Sequence, residues 1–152
     1  MERQSLIPLV AVSLMLAACG GTEGPDASEA REDSPSASAV EDTSVSVTLT
    51  DYSVTADPAT APAGKVTFEV DVEAGIHALT VLRTELPPGQ LPTRDDGAYV
   101  NTIDDRIEVI AWEAASDRKH TMDAQLGPGA YVLICNLERH YTAGMWTGFK
   151  VA

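Results

Sequence analysis

The sequence predicts an all-β domain, an antiparallel or mixed β-sandwich of about seven strands. Three observations carry that expectation. Short apolar runs recur at regular spacing with Pro/Gly-containing turns between them. One run alternates strictly, Val66, Phe68, Val70 and Val72 against Thr67, Glu69 and Asp71, which is the period of a half-buried strand. No helical period of useful length and no internal repeat occurs in the chain.

The first residues of the 152-residue chain are set apart from this domain. Residues 6–16 are apolar except for Pro8 and Ser13, and they end in Leu16-Ala17-Ala18-Cys19. The run is too short to serve as a lasting membrane span and fits a signal-peptide core, although the basic start is thin, with Arg3 beside Glu2. Its ending resembles a bacterial lipobox. Residues 1–18 are therefore expected to be a lipoprotein signal peptide, with Cys19 as the lipidated first residue of the mature chain. Residues 19–43 follow as an acidic linker. Val40 is the one apolar residue there larger than Ala, and seven acidic residues face Arg31. Such a stretch cannot bury enough apolar surface to order itself. As a flexible coil it spans roughly 25–30 Å, extended further by its charge.

Residues 44–152 suffice for one core. Val45, Val47 and Leu49 alternate with Ser46 and Thr48, so 44–54 reads as a first strand, bulged at Asp51. Asp57-Pro58 and Ala61-Pro62-Ala63-Gly64 turn the chain into the strand at 66–72. The turn Glu73-Ala74-Gly75 leads to a third strand, 77–83. Residues 84–105 form a long connection, and one of that length is usually functional or has structure of its own. Strands at 106–112 and 118–126 follow, the latter with Met122, Ala124 and Leu126 on one face. The run after Gly127-Pro128-Gly129 reads as a buried strand, 130–135, and 147–151 closes the chain.

Between the last two strands lie Cys135, His140 and Met145 at even five-residue steps. A thiol, an imidazole and a thioether are soft or borderline metal ligands. Cys, two His and a long axial Met describe a blue-copper electron-transfer site. That set needs a second histidine, and His77 and His120 remain. His77 opens a strand in phase with Leu79 and Val81, so it points into the sandwich at a strand end. His120 is in phase with Met122 and has no Cys or Met beside it; it reads as a surface or core-edge histidine. If Cys19 carries lipid, Cys135 has no disulfide partner, and metal ligation would protect a lone thiol in an oxidising compartment. Zinc also accepts N and S donors, but Met is unusual for it. Asn136 either bonds across the site to the loop before His77 or caps the turn. Tyr141 and Trp146 flank the ligands, as packing or as an electron relay.

Gly75-Ile76-His77-Ala78-Leu79-Thr80-Val81, with the segment from Gly127 through Cys135 and His140 to Met145, resembles the cupredoxin family of blue-copper proteins. The C-x4-H-x4-M spacing is similar to that of the rusticyanin and sulfocyanin branch. The resemblance covers nearly all of residues 44–152. It implies a Greek-key β-sandwich with one type 1 copper at one end, held by His77, Cys135 and His140 with Met145 axial. Three positions depart from the common pattern: Ala78 where many relatives have Asn, Asn136 where many have Ser or Thr, and Glu138-Arg139 where Pro-Gly often precedes the histidine. These positions shape hydrogen bonds around the ligands and so the reduction potential.

A net charge of −13 excludes a general nucleic-acid binder and disfavours anionic lipid headgroups, which leaves the lipid as the membrane contact. It steers the chain toward a redox partner with a basic docking surface. The expected function is a lipid-anchored, monomeric, one-electron carrier in the bacterial cell envelope, outside the cytoplasm. In the family an apolar patch often surrounds the loop histidine, here with Tyr141, Ala143, Gly144, Pro87, Pro88 and Leu91 as candidates. The alternative is copper binding or delivery in the envelope, against which stands the scarcity of Met outside the signal segment. A copper enzyme would need a further centre, and three histidines without a His-x-His pair argue against one. A metal-free adhesive sandwich leaves the His/Cys/His/Met set unexplained. Copper affinity should fall at low pH, because the ligands must shed their protons to bind.

Overall fold

Apolar residues at every second position, as at 45–49, 66–72 and 122–126, give a strand a face that must be covered, and two sheets packed face to face cover each other. The computed structural model describes residues 43–115 and 118–152. The expected signal peptide, the lipidation site Cys19 and the linker through residue 42 lie outside the described residues. Among the described residues nine strands run in chain order as β1 (Thr43–Thr50), β2 (Ser53–Asp57), β3 (Thr60–Ala61), β4 (Gly64–Val72), β5 (His77–Arg83), β6 (Glu108–Ala115), β7 (Lys119–Leu126), β8 (Gly129–Ile134) and β9 (Trp146–Val151). They form a four-stranded sheet in the order β2-β1-β4-β7 and a five-stranded sheet in the order β3-β9-β8-β5-β6. Both sheets are mixed, since β1 runs parallel to β4 and β3 parallel to β9.

The all-β sandwich is as expected, with nine strands in place of about seven. The difference lies at two points. The single bulged strand expected over 44–54 is a hairpin. Asp51 and Tyr52 turn the chain, and β2 folds back antiparallel on β1 with Thr50 opposite Ser53. The buried positions change phase there, from Val45, Val47 and Leu49 to Val54, and a bulge shifts phase in the same way, so period alone does not separate the two. The short β3 adds an edge beside β9.

The main core lies between the sheets. Val45, Val47 and Leu49 of β1 meet Phe68 and Val70 of β4, and Phe68 stacks edge-on against Phe149 of β9. A second, smaller core covers the outer face of the five-stranded sheet. There Leu82, Val132 and Ile134 are sealed by Leu91, Val100 and Ile107 from the long connection and by Tyr141 from the ligand loop. This is why β5 and β8 are buried on both faces and do not alternate. The connection carries a 3-10 turn at Pro88–Gln90 and a bridge between Thr93 and Val100. It is thus a structured wall.

Thr80 sits in β5 with its hydroxyl buried and without a hydrogen-bond partner. Replacing a burdened hydroxyl with a methyl of the same shape removes a desolvation cost. Thr80→Val is expected to stabilise the domain by about 1 kcal/mol. Urea unfolding with an unchanged slope would measure it, and a lowered midpoint would refute it.

Candidate metal centre

Three neighbouring strands deliver the four expected ligands to one end of the sandwich. His77 is the first residue of β5, Cys135 follows the last residue of β8, and Met145 precedes the first of β9. Residues 135–145 form a loop closed by its own backbone. The Cys135 amide donates to the Met145 carbonyl at 3.1 Å, and the Met145 amide donates to the His140 carbonyl at 3.0 Å. His77, Cys135 and Met145 are essentially fully buried, and His140 is half-buried.

The three donor atoms of His77, Cys135 and His140 converge. The two Nδ1 atoms are 3.3 Å apart, and Cys135 Sγ lies 3.4 Å from His140 Nδ1 and 3.9 Å from His77 Nδ1. The point equidistant from the corners of that triangle is about 2.1 Å from each, against metal–imidazole bonds of about 2.0–2.1 Å and metal–thiolate bonds of about 2.3 Å. The donor set would therefore fit a single metal ion. The His77 tautomer supports this. Its Nε2 faces the Ala74 carbonyl at 2.7 Å and donates its proton there, which leaves the Nδ1 lone pair toward the shared point.

The surroundings set the protonation of the donors. Burial pushes the Cys135 thiol above its ordinary value, while backbone amides of Ala78 and Leu137 bonding to the sulfur pull it down. The Ala78 amide reaches Sγ at 3.3 Å. Burial holds the His140 imidazole below its ordinary value and His77 lowers it further, whereas Asp51 raises it. A lowered value favours the neutral ring, which is the form that binds metal.

No family model matches the sequence, and no curated protein matches it. Solved structures do match. Auracyanin A, described as a "blue" copper protein from the green thermophilic photosynthetic bacterium Chloroflexus aurantiacus, superposes with a TM-score of 0.50 at 14% identity, covering 72% of this chain and 98% of that one. The chain has the cupredoxin fold. An auracyanin from Roseiflexus castenholzii matches at 20% identity and a TM-score of 0.46, over 72% of this chain and 97% of that one. Reduced rusticyanin matches at 18% identity and a TM-score of 0.47, over 72% and 78%.

In this cupredoxin fold the ligand loop leans on the long connection, which the sequence did not reveal. Asn136 bonds neither to the loop before His77 nor within its own turn. Its Oδ1 accepts from the Val100 amide at 2.8 Å, and its Nδ2 donates to the Val100 carbonyl at 3.4 Å. The Arg139 amide donates to the Ala98 carbonyl at 2.7 Å. The Tyr141 hydroxyl accepts from the Leu91 amide and donates to the Pro88 carbonyl, both at 2.8 Å. Tyr141 and Leu91 are consequently buried, which corrects their expected place in an exposed patch. Ala143 and Gly144 are exposed, as expected. Trp146 packs over Gly89, where a Cβ would lie 2.8 Å from the indole.

His120 stands apart on β7, in the other sheet, with both ring nitrogens buried and without hydrogen-bond partners. That is a core-edge position, outside the metal centre. The residues missed by sequence reasoning are Asp51 and Tyr52. Their turn reaches the site, with Asp51 Oδ1 3.4 Å from His77 Nε2 and the Tyr52 ring edge-on to His140 at 5.5 Å. Neither spacing nor residue type marks them, because both contacts arise only when the sheets pack.

Proposed function

We propose that His77, Cys135 and His140 hold one type 1 copper ion, with Met145 as the axial ligand, and that the protein is a lipid-anchored single-electron carrier. The observation that carries this proposal is the triangle of two imidazole nitrogens and one thiol sulfur around a point at metal-bonding distance. Copper held there would supply one-electron Cu(II)/Cu(I) chemistry, because the thiolate and thioether favour the reduced ion and the imidazoles serve both states.

The chain's own residues keep the site the same in both states. Strands β8 and β9 fix the loop ends, β5 fixes His77, and the connection fixes the middle of the loop. Burial of His77, Cys135 and Met145 keeps water from these side chains. The Ala78 and Leu137 amides aimed at the sulfur offset thiolate charge that would otherwise be buried alone. Tyr52, against the half-buried His140 ring, and Ala143 and Gly144 in its loop are exposed, a small, largely apolar surface suited to a transient redox partner. The net charge of −13 favours a partner with basic groups around its own contact surface, at a rate that falls with added salt. We place Cys19 as the lipid anchor that holds this domain outside the cytoplasm in the bacterial envelope, and the chain as a monomer.

The absence of a second histidine cluster supports a carrier over an oxidase. The chain has three histidines, two are used, and His120 lies in the other sheet. The deciding test is the visible spectrum of residues 44–152 with one equivalent of Cu(II). An intense thiolate-to-copper band, bleached reversibly by reductant, is expected. Absence of the band with ready surrender of Cu(I) to a chelator would favour copper delivery, and preferential zinc binding would refute both.

A further inference from the structure

We infer that Asp51 is a positioning residue that holds His77 and biases the copper centre toward its oxidised state. The inference rests on the copper site proposed above. His77 is buried, and its Nε2 donates to the Ala74 carbonyl. The same nitrogen lies 3.4 Å from Asp51 Oδ1, so the ring's N–H bonds to the carbonyl with the carboxylate standing close beside it. A carboxylate behind a ligating imidazole raises its basicity and fixes its orientation.

The cluster is built around Asp51. Gly75 has φ +81, and a side chain there would strike the Asp51 carboxylate and come within 2.8 Å of His77 Nε2. The missing side chain leaves room for the carboxylate to reach the ring. The turn that carries Asp51 also sets the Tyr52 ring against His140, with an interplanar angle of 81°, and places the Tyr52 carbonyl against Gly144. One two-residue turn from the opposite sheet thus contacts both imidazoles. Its register is fixed by the β1–β2 hairpin.

A negative charge at this place stabilises the ion with the higher charge. The Asp51 side chain is 54% exposed, so water screens part of the effect. Asp51→Asn keeps size and turn preference while removing the charge. It is expected to weaken Cu(II) relative to Cu(I) by up to about tenfold, a rise in potential of up to about 59 mV for one electron. Glu73→Gln, in the exposed turn before His77, removes an equal charge that does not touch the ring and serves as the control.

The experiment is redox titration of copper-loaded wild type, Asp51→Asn and Glu73→Gln, with their visible spectra. A higher potential in Asp51→Asn alone, with the thiolate-to-copper band retained, supports the inference. Equal shifts in both variants, or no shift in Asp51→Asn, overturn it while the copper site stands. A wild-type protein without the band overturns the proposed function and this inference together.

Discussion

Cys135→Ser is expected to abolish the intense visible band completely while leaving the β-sandwich folded. Serine nearly matches cysteine in size, so the backbone of residues 135–145 has no steric reason to move. The loop bonds between Cys135 and Met145 and between Met145 and His140 are made by the main chain and survive the change. What is lost is a soft donor. The serine hydroxyl keeps its proton near neutral pH and is a poor partner for Cu(I), whereas a bound thiolate supplies both the affinity and the charge-transfer transition. Copper affinity should fall by more than the roughly 10–100-fold that the loss of an outer partner costs a metal site. The variant also buries a hydroxyl where the Ala78 amide pointed at sulfur, at a cost of about 1–2 kcal/mol. Absorption spectra and copper retention on dialysis read the first effect, and urea unfolding of the metal-free proteins reads the second. A band that persists in the serine variant would remove Cys135 from the site.

The candidate ligands were legible because they lie where sequence signals are strongest. Cys135, His140 and Met145 share one loop, and their spacing needs no tertiary knowledge. His77 was separable from His120 by its place at a strand end, since both are in phase with core residues but His120 lies mid-run without a Cys or Met beside it. The alternation in β1 and β4 likewise specified which residues meet in the main core, and Val45, Val47, Phe68 and Val70 are buried there. The hairpin at Asp51 and Tyr52 was not legible. A turn between two residues of unremarkable type preserves the alternating pattern on both sides, and the same letters fit one bulged strand. The wall at residues 84–107 was recognisable only as too long to be idle. Its role depends on backbone groups of Leu91, Ala98 and Val100, and backbone groups leave no mark on the residue letters. For the same reason the partner of Asn136 was open: its amide bonds a distant main chain, and any exposed carbonyl and amide pair would satisfy it.

Tyr141→Phe is expected to loosen the ligand loop without unfolding the domain, and it tests whether the connection holds the metal centre rigid. The ring stays in the second core, with its apolar contacts to Leu82, Val132 and Ile134 intact. Only the hydroxyl leaves. The Leu91 amide then has no partner in a place where Leu91 and Tyr141 are each 5% exposed, and the Pro88 carbonyl loses its donor. An unpaired buried group of this kind costs about 1–3 kcal/mol. Asn136→Ala strips the Val100 amide of its partner in the same way and at similar cost, beside a Val100 that is fully buried. Both variants act on one segment, so their effects should couple when combined. The readouts are the urea midpoint and hydrogen exchange at Leu91, Val100 and Arg139. Faster exchange there, with the strands of the main core still protected, would show the wall opening as a local unit. Copper-loaded protein should keep its band but lose metal faster to a chelator, because a looser loop forfeits the prearranged positions of Cys135 and His140. Unchanged protection at Leu91 in Tyr141→Phe would mean that packing alone seats the wall, and the hydroxyl would then have no part in holding the site.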